Sequence, residues 1–164
     1  MNTIAIPYLL TEIPDAPEKI YCVGTFPDEH SFKFLAVVGS RKFTSYGKQV
    51  CEHLIRGLAG YPVVIVSGLA LGIDSIAHTA ALEHNLITVA VPGSGLNPNV
   101  LYPASNRKLA HDIVNNGGAL ISEFEPDFKA TNWSFPKRNR IMAGMAHAVL
   151  VIEAEEKSGT RITA

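Results

Sequence analysis

From Phe34 onward the chain alternates short apolar runs, rich in β-branched residues, with longer stretches of helical period. Residues 34–38 (FLAVV), 62–66 (PVVIV), 86–91 (LITVAV), 119–121 (ALI) and 148–152 (AVLVI) are almost continuously apolar. A strand shows this pattern when both its faces are covered, so the five runs predict parallel strands inside a sheet with helices on either side. Between them, Val50, Cys51, Leu54, Ile55 and Leu58 recur at helical spacing, as do Ile76, Ala77, Ala80 and Ala81 after a capping Asp74. Leu109, Ile113 and Val114 form a third stripe, which stops at Asn116-Gly117-Gly118 as a left-handed helix end would. Ile141, Met142 and Met145 form a fourth, entered through Pro136. Strand and helix in regular alternation imply right-handed crossovers and a doubly wound α/β fold with a mostly parallel sheet.

Residues 1–33 do not keep this rhythm. Their four prolines, Pro7, Pro14, Pro17 and Pro27, predict an extended lead-in with one short strand at Ile20–Val23, and place the domain itself at 34–164. Residues 158–164 (SGTRITA) read as the start of another helix, so the sheet is expected to lack its last elements.

A chain of 164 residues suits one domain. With 47% apolar and 18% charged residues it has the material for a core, and it has no apolar run of the ~18 residues that a membrane span requires. The first residues have no basic segment followed by an apolar stretch, which argues against export, and Cys22 and Cys51 match no ligand spacing. Reduced thiols in the cytoplasm are the plainest reading. The net charge of −1 hides an asymmetry: residues 1–31 hold one base against five acids, and the remainder thirteen bases against ten acids. A mildly basic body can steer a polyanion if its cations gather at one rim.

In open parallel sheets ligands bind beyond the carboxyl ends of the strands. The predicted strands end in Gly39-Ser40-Arg41-Lys42, Ser67-Gly68, Gly93-Ser94-Gly95, Ser122-Glu123-Phe124 and Glu153-Ala154. Glycine lets a backbone approach a phosphate, and the following helix supplies free N–H groups. One such loop is explained by a tight turn alone; several on one rim favour a ligand site. Residues 135–140 (FPKRNR) are the most informative. A helix starting at Pro136 carries Lys137, Arg138 and Arg140 where its dipole repels cations, so stability alone would choose acids there. Together with Arg41 and Lys42 these residues predict a groove for a phosphate backbone. Trp133, Phe135 and Phe124 are candidates to stack on bases.

Catalytic patterns are missing. Gly93-Ser94-Gly95 lacks the third glycine of a dinucleotide loop, no GxxxxGK[ST] or GxSxG occurs, and the six histidines show no metal spacing. No cofactor, no metal and no enzymatic activity are therefore expected. His78 is read as a residue bonded to a carbonyl or water.

Taken as an ordered set, residues 38–42 (VGSRK), 67–74 (SGLALGID) with His78, 93–96 (GSGL) with Tyr102-Pro103, Asn106-Arg107, 122–124 (SEF), 135–140 and 153–164 resemble the DprA/Smf family of bacterial DNA-processing proteins. The resemblance implies a Rossmann-like domain that binds single-stranded DNA in natural transformation and loads RecA, with a homodimer contact through the C-terminal part. It implies that Arg41 and Lys137 are the main phosphate contacts, flanked by Lys42, Arg138 and Arg140, with Gly39, Ser40, Ser67, Gly68, Gly93 and Ser94 shaping the pocket. The family usually has arginine where this chain has Leu71, which removes one cation. Two other readings stay open: a nucleotide-hydrolysing enzyme of the phosphoribohydrolase-like Rossmann superfamily, and a truncated, inactive paralogue.

Overall fold

The computed structural model describes residues 1–153. In chain order the elements are β1 (Asn2–Ile4), α1 (Tyr8–Thr11), β2 (Ile20–Gly24), β3 (Lys33–Gly39), α2 (Ser45–Arg56), β4 (Val63–Ser67), α3 (Ile73–Glu83), β5 (Thr88–Ala90), a 3-10 turn (Ala104–Asn106), α4 (Arg107–Asn115), β6 (Ala119–Ser122), α5 (Ser134–Met145) and β7 (Ala148–Ile152). One seven-stranded sheet runs in the order β1-β2-β6-β5-β4-β3-β7.

All five expected strands form, and each pairs parallel to its neighbours among them. Pro62 stays outside β4, since it has no N–H for a ladder, and β5 keeps only the middle of its apolar run. Side chains alternate across the sheet. Phe34, Val38, Val64, Val66, Val89 and Ile121 face α5 and α1, where Leu10, Ile141, Met142 and Met145 complete one core. Val37 and Ile65 face α2 and α3, packing on Cys51, Ile55, Ile73 and Ala77. Ala90 and Leu120 face α4 through Ala110 and Ile113. The two cysteines are buried free thiols.

The first 33 residues depart from the extended lead-in. The expected strand at Ile20–Val23 forms as β2, which pairs antiparallel with β6, and the segment also supplies α1 and a further strand, β1, antiparallel to β2. Leu10 and Ile20 are fully buried. The reason lies in α5, where Gly144 lets α1 approach so closely that a side chain there would meet Leu10 and Ile13. The apolar residues between the prolines thus cover a sheet face that would otherwise be open, although the prolines hide the periodicity.

Two helix starts also differ from expectation. Gly72, at φ +84°, precedes α3, and Asp74 turns its carboxylate away to other amides. Helix α5 begins at Ser134, two residues before Pro136. Gly117 does close α4, at φ +83°. The segment 158–164 lies outside the described residues.

Strand order reverses beside β3: β4, β5 and β6 follow on one side, and β7 returns to the other. The crevice beyond such a reversal is where ligands reach open α/β sheets. The loop carrying Arg41 leaves the sheet there, and Gly39 permits it, because a Cβ at that position would strike Ile73 and the carbonyl of Ile152.

If the N-terminal segment is part of the core, Leu10→Ala should lower stability by about 2–5 kcal/mol in chemical denaturation. A change below about 0.5 kcal/mol, ordinary for a surface site, would show the segment to be peripheral.

Candidate nucleic-acid interface

Residues 40–44 form a tightened loop. The Ser40 hydroxyl donates to the carbonyl of Lys42 and accepts from its N–H, at 2.8 and 3.0 Å. Thr44 caps α2 by accepting from Gly47 N–H at 3.0 Å, while Glu153 at the end of β7 accepts from both the backbone N–H and the hydroxyl of Thr44. Those bonds hold the Glu153 carboxyl below its ordinary pKa. Arg41 and Lys42 project, exposed, from this braced turn. The Arg41 guanidinium lies 5.3 Å from the ring centre of Phe135, a cation–π contact that ties the first loop to the start of α5.

The start of α5 is seated by Ser134, whose hydroxyl donates to the carbonyl of Gly93 at 2.6 Å. Gly93 has a packing role, since a Cβ there would come within 2.6 Å of the Phe135 ring. Phe135 also packs on Tyr102, with ring centres 5.6 Å apart. Trp133 is 55% exposed and stands edge-on to Phe124 and Phe128, with the Lys137 ammonium 6.0 Å from its ring.

The three cations of residues 135–140 do not share one fate. Lys137 is half-exposed but has the Glu123 carboxylate 3.7 Å away. Arg140 was expected at the rim; instead it ion-pairs with Asp15 and Glu123, at 2.7 Å each. Arg138 was expected beside Lys137, yet it is buried. Helical geometry explains this: Arg138 shares a face with Ile141 and Met142, so the side chain enters the protein. Its Nη1 donates to the carbonyl of Val91 at 2.6 Å. Burial brings its pKa down to about 10, with the charge of Asp74 opposing that shift and the charge of Arg41 adding to it.

Asp74 is the buried charge nearby, on the other side of Gly68. Its Oδ2 accepts from the N–H groups of Gly68 and Ala70, at 3.1 and 3.3 Å. Burial raises its pKa, while Arg138 and these amides pull it back. Gly68 sits between the two charges, and a Cβ built on it would collide with the guanidinium. The Gly68 amide is thus committed internally and is not free for a phosphate. Ser67 and Ser94 likewise leave the predicted rim for the interior. The Ser67 hydroxyl donates to the carbonyl of Val37 at 2.6 Å, and that of Ser94 donates to the carbonyl of Gly95 at 2.9 Å and accepts from Tyr102 N–H at 3.2 Å.

His78 is fully buried and shares a hydrogen bond with the Thr88 hydroxyl at 2.7 Å, which donates onward to the carbonyl of Ile65. Burial, with some repulsion from Arg138, lowers its pKa to about 3. Phe124 is buried and stacked on Phe128, so among the aromatic candidates Trp133 and Phe135 stay at the rim and Phe124 leaves it. No group of three or more metal-ligating side chains occurs among the described residues.

What converges at the rim is therefore Arg41, Lys42, Phe135, Tyr102, Trp133 and Lys137, with Leu71, 52% exposed, in the loop ahead of α3. The family model for DNA recombination-mediator protein A matches residues 2–164. The chain belongs to that family. It is 42% identical to Protein Smf of Escherichia coli over 96% of its own length and 41% of that protein, and 43% identical to the DNA processing protein DprA of Streptococcus pneumoniae over 96% and 54%. The solved structure of DNA processing protein A from Helicobacter pylori, described for its single-stranded DNA binding mode, superposes with TM-score 0.89 and 36% identity over 99% of this chain and 73% of that one. This member of the DprA/Smf family spans about half the length of the curated relatives it matches. Its Rossmann-like fold is that of the DprA structures.

Replacing Arg138 by Met removes the cation that offsets part of the cost of burying Asp74. Arg138→Met should lower stability by about 3–5 kcal/mol near neutral pH, and the double variant with Asp74→Asn by clearly less, in urea titrations. Additive losses would show that the two groups are not coupled. For His78, the folded form resists protonation down to about pH 3, while the unfolded histidine takes up a proton near 6.5. Its contribution is present above pH 6.5 and is lost as pH falls toward 3, by up to about 1.4 kcal/mol per pH unit. The parent should lose stability relative to His78→Leu as pH falls across that window; a constant difference would contradict the assignment.

Proposed function

We propose that this chain binds single-stranded DNA by its backbone, without catalysis, as the DNA-binding part of a DprA-type protein acting in the cytoplasm in natural transformation and recombination. The observation that carries this reading is the exposed Arg41 guanidinium held over Phe135 at the strand-order reversal, with Lys42 next to it in the loop and Lys137 two residues after Phe135 on α5. A braced cation above an aromatic ring suits a phosphate on one side and a base on the other, the combination that non-specific single-strand binders use. The Helicobacter pylori relative, described as binding single-stranded DNA, supports the same reading.

A binding role is favoured over an enzymatic one by where the nucleophile and base candidates lie: Ser67, Ser94 and His78 are buried in structural hydrogen bonds. Arg41 is the principal phosphate contact in this proposal. Lys137 is a weaker one, because Glu123 already partly neutralises it. Loading of RecA and pairing with a second copy belong to the same proposal. Ala148, Val149 and Val151 on β7, exposed apolar residues at one edge of the sheet, support the pairing. No helix among the described residues is long and apolar enough to cross a membrane.

The test is a salt titration of binding to unstructured oligonucleotides. Arg41→Ala should weaken binding and reduce the slope of log K against log salt by about 0.7, the value for one phosphate contact on a single strand. Lys137→Ala should act in the same direction with smaller effect, and Leu71→Arg should strengthen binding and steepen the slope. Salt-independent binding, or an Arg41→Ala variant indistinguishable from the parent, would reject the proposed groove.

A further inference from the structure

We infer that Tyr102 is a base-stacking residue, which makes the rim selective for strands with unpaired bases over a bare phosphate backbone; this rests on the single-strand reading above. Nothing in the local sequence marks Tyr102 for this role. Its geometry does. The side chain is 50% exposed, and its ring packs on Phe135 at 5.6 Å and a tilt of 51°. Arg41 sits over that same Phe135 ring at 5.3 Å. Cation and phenol are thus mounted on one shared ring, no more than about 11 Å apart, a distance that a strand rising ~3.4 Å per nucleotide crosses in about three steps.

The loop around Tyr102 is fixed independently of any ligand. Tyr102 N–H donates to the buried Ser94 hydroxyl at 3.2 Å, and Pro103 restricts the chain immediately after it. The Asn106 amide donates to the Leu69 carbonyl at 2.8 Å and to the Ser75 hydroxyl at 2.8 Å, and Arg107 Nη2 donates to the Asn99 carbonyl at 3.0 Å. A mobile tyrosine would fold back on apolar neighbours. This one has a fixed backbone and a ring seated on Phe135, so its exposed ring surface is pre-organised and less freedom is lost when a base lands on it. Leu71, in the loop that Asn106 grips, adds apolar surface where an arginine would have offered another phosphate contact, which shifts the balance of the rim from charge toward base contact.

The discriminating probe is a pair of labelled strands of about 20 nucleotides, one of thymidine and one of abasic sites with the same number of phosphates. The parent should bind the thymidine strand roughly tenfold or more tightly than the abasic one. Tyr102→Ala and Tyr102→Leu should each lose roughly 5- to 100-fold on the thymidine strand, the range expected of one aromatic face, and stay within about twofold on the abasic strand. Tyr102→Phe should keep parental binding, and the salt slope should be the same in all three. Tyr102→Leu retains an apolar side chain against Phe135, so it reports on stacking even if the alanine variant unfolds. Equal loss on both strands, or no loss on either while Arg41→Ala still weakens binding, overturns the role of Tyr102 and leaves the groove standing. If the parent binds neither strand, the groove and the stacking residue fall together.

Discussion

The guanidinium of Arg138 and the carboxylate of Asp74 face each other across Gly68 at the carboxyl edge of the sheet. The two residues come from helices on opposite faces, α5 and α3, and each charge offsets part of the other's cost of burial without a direct ion pair between them. A buried charge is severely penalised, and backbone groups meet part of that cost: the Val91 carbonyl accepts from Nη1 of the arginine, whose Nε has no partner among the described residues, and the Gly68 and Ala70 amides donate to the aspartate. The loops that carry the rim residues lie next to this pair. Phe135 lies three residues before Arg138, and the Gly68 loop leads directly to Leu71.

A second arrangement decides how much charge reaches the surface. Arg140, Glu123, Asp15 and Lys137 form a small network in which acids from β6's end and the N-terminal segment take up much of the cationic character of α5. The rim is therefore less basic than the count of its lysines and arginines suggests, in keeping with a chain whose net charge is −1. An interface of this kind depends more on aromatic surface than one lined with free arginines. Arg41 stands out because it is exposed and sits on a ring instead of beside a carboxylate.

Much of this was legible beforehand. Four buried parallel strands, β3 to β6, announce themselves by continuous apolar runs, because a residue covered on both faces of a sheet has no polar position to alternate with; the equally apolar run of β7 instead lies at the sheet edge with Ala148, Val149 and Val151 exposed. The glycine closing α4 could be read in the same way, since only a residue tolerant of positive φ ends a helix cleanly there. Of the N-terminal elements only the strand at Ile20–Val23 was legible; β1, α1 and the pairing were not, because prolines and acids interrupt residues 1–33 and whether such a segment pairs depends on a partner strand, β6, about one hundred residues away. Arg138 was misplaced for a related reason. Three cations within four residues look alike in sequence, but a helix turns each residue by about 100°, and only the position of the core tells which one is inside.

Residue order alone determined the alternation of elements, the rim on which polar loops gather, and the presence there of Arg41 and aromatic side chains, because these follow from local periodicity and from the rule that βα loops share one edge. Tertiary structure decided which of those side chains remain available. Burial and charge pairing are long-range properties: Gly68 makes room for an arginine seventy residues away, Asp15 captures Arg140 from the far end of the chain, and Tyr102 gains its place only when Phe135 and Arg41 arrive beside it.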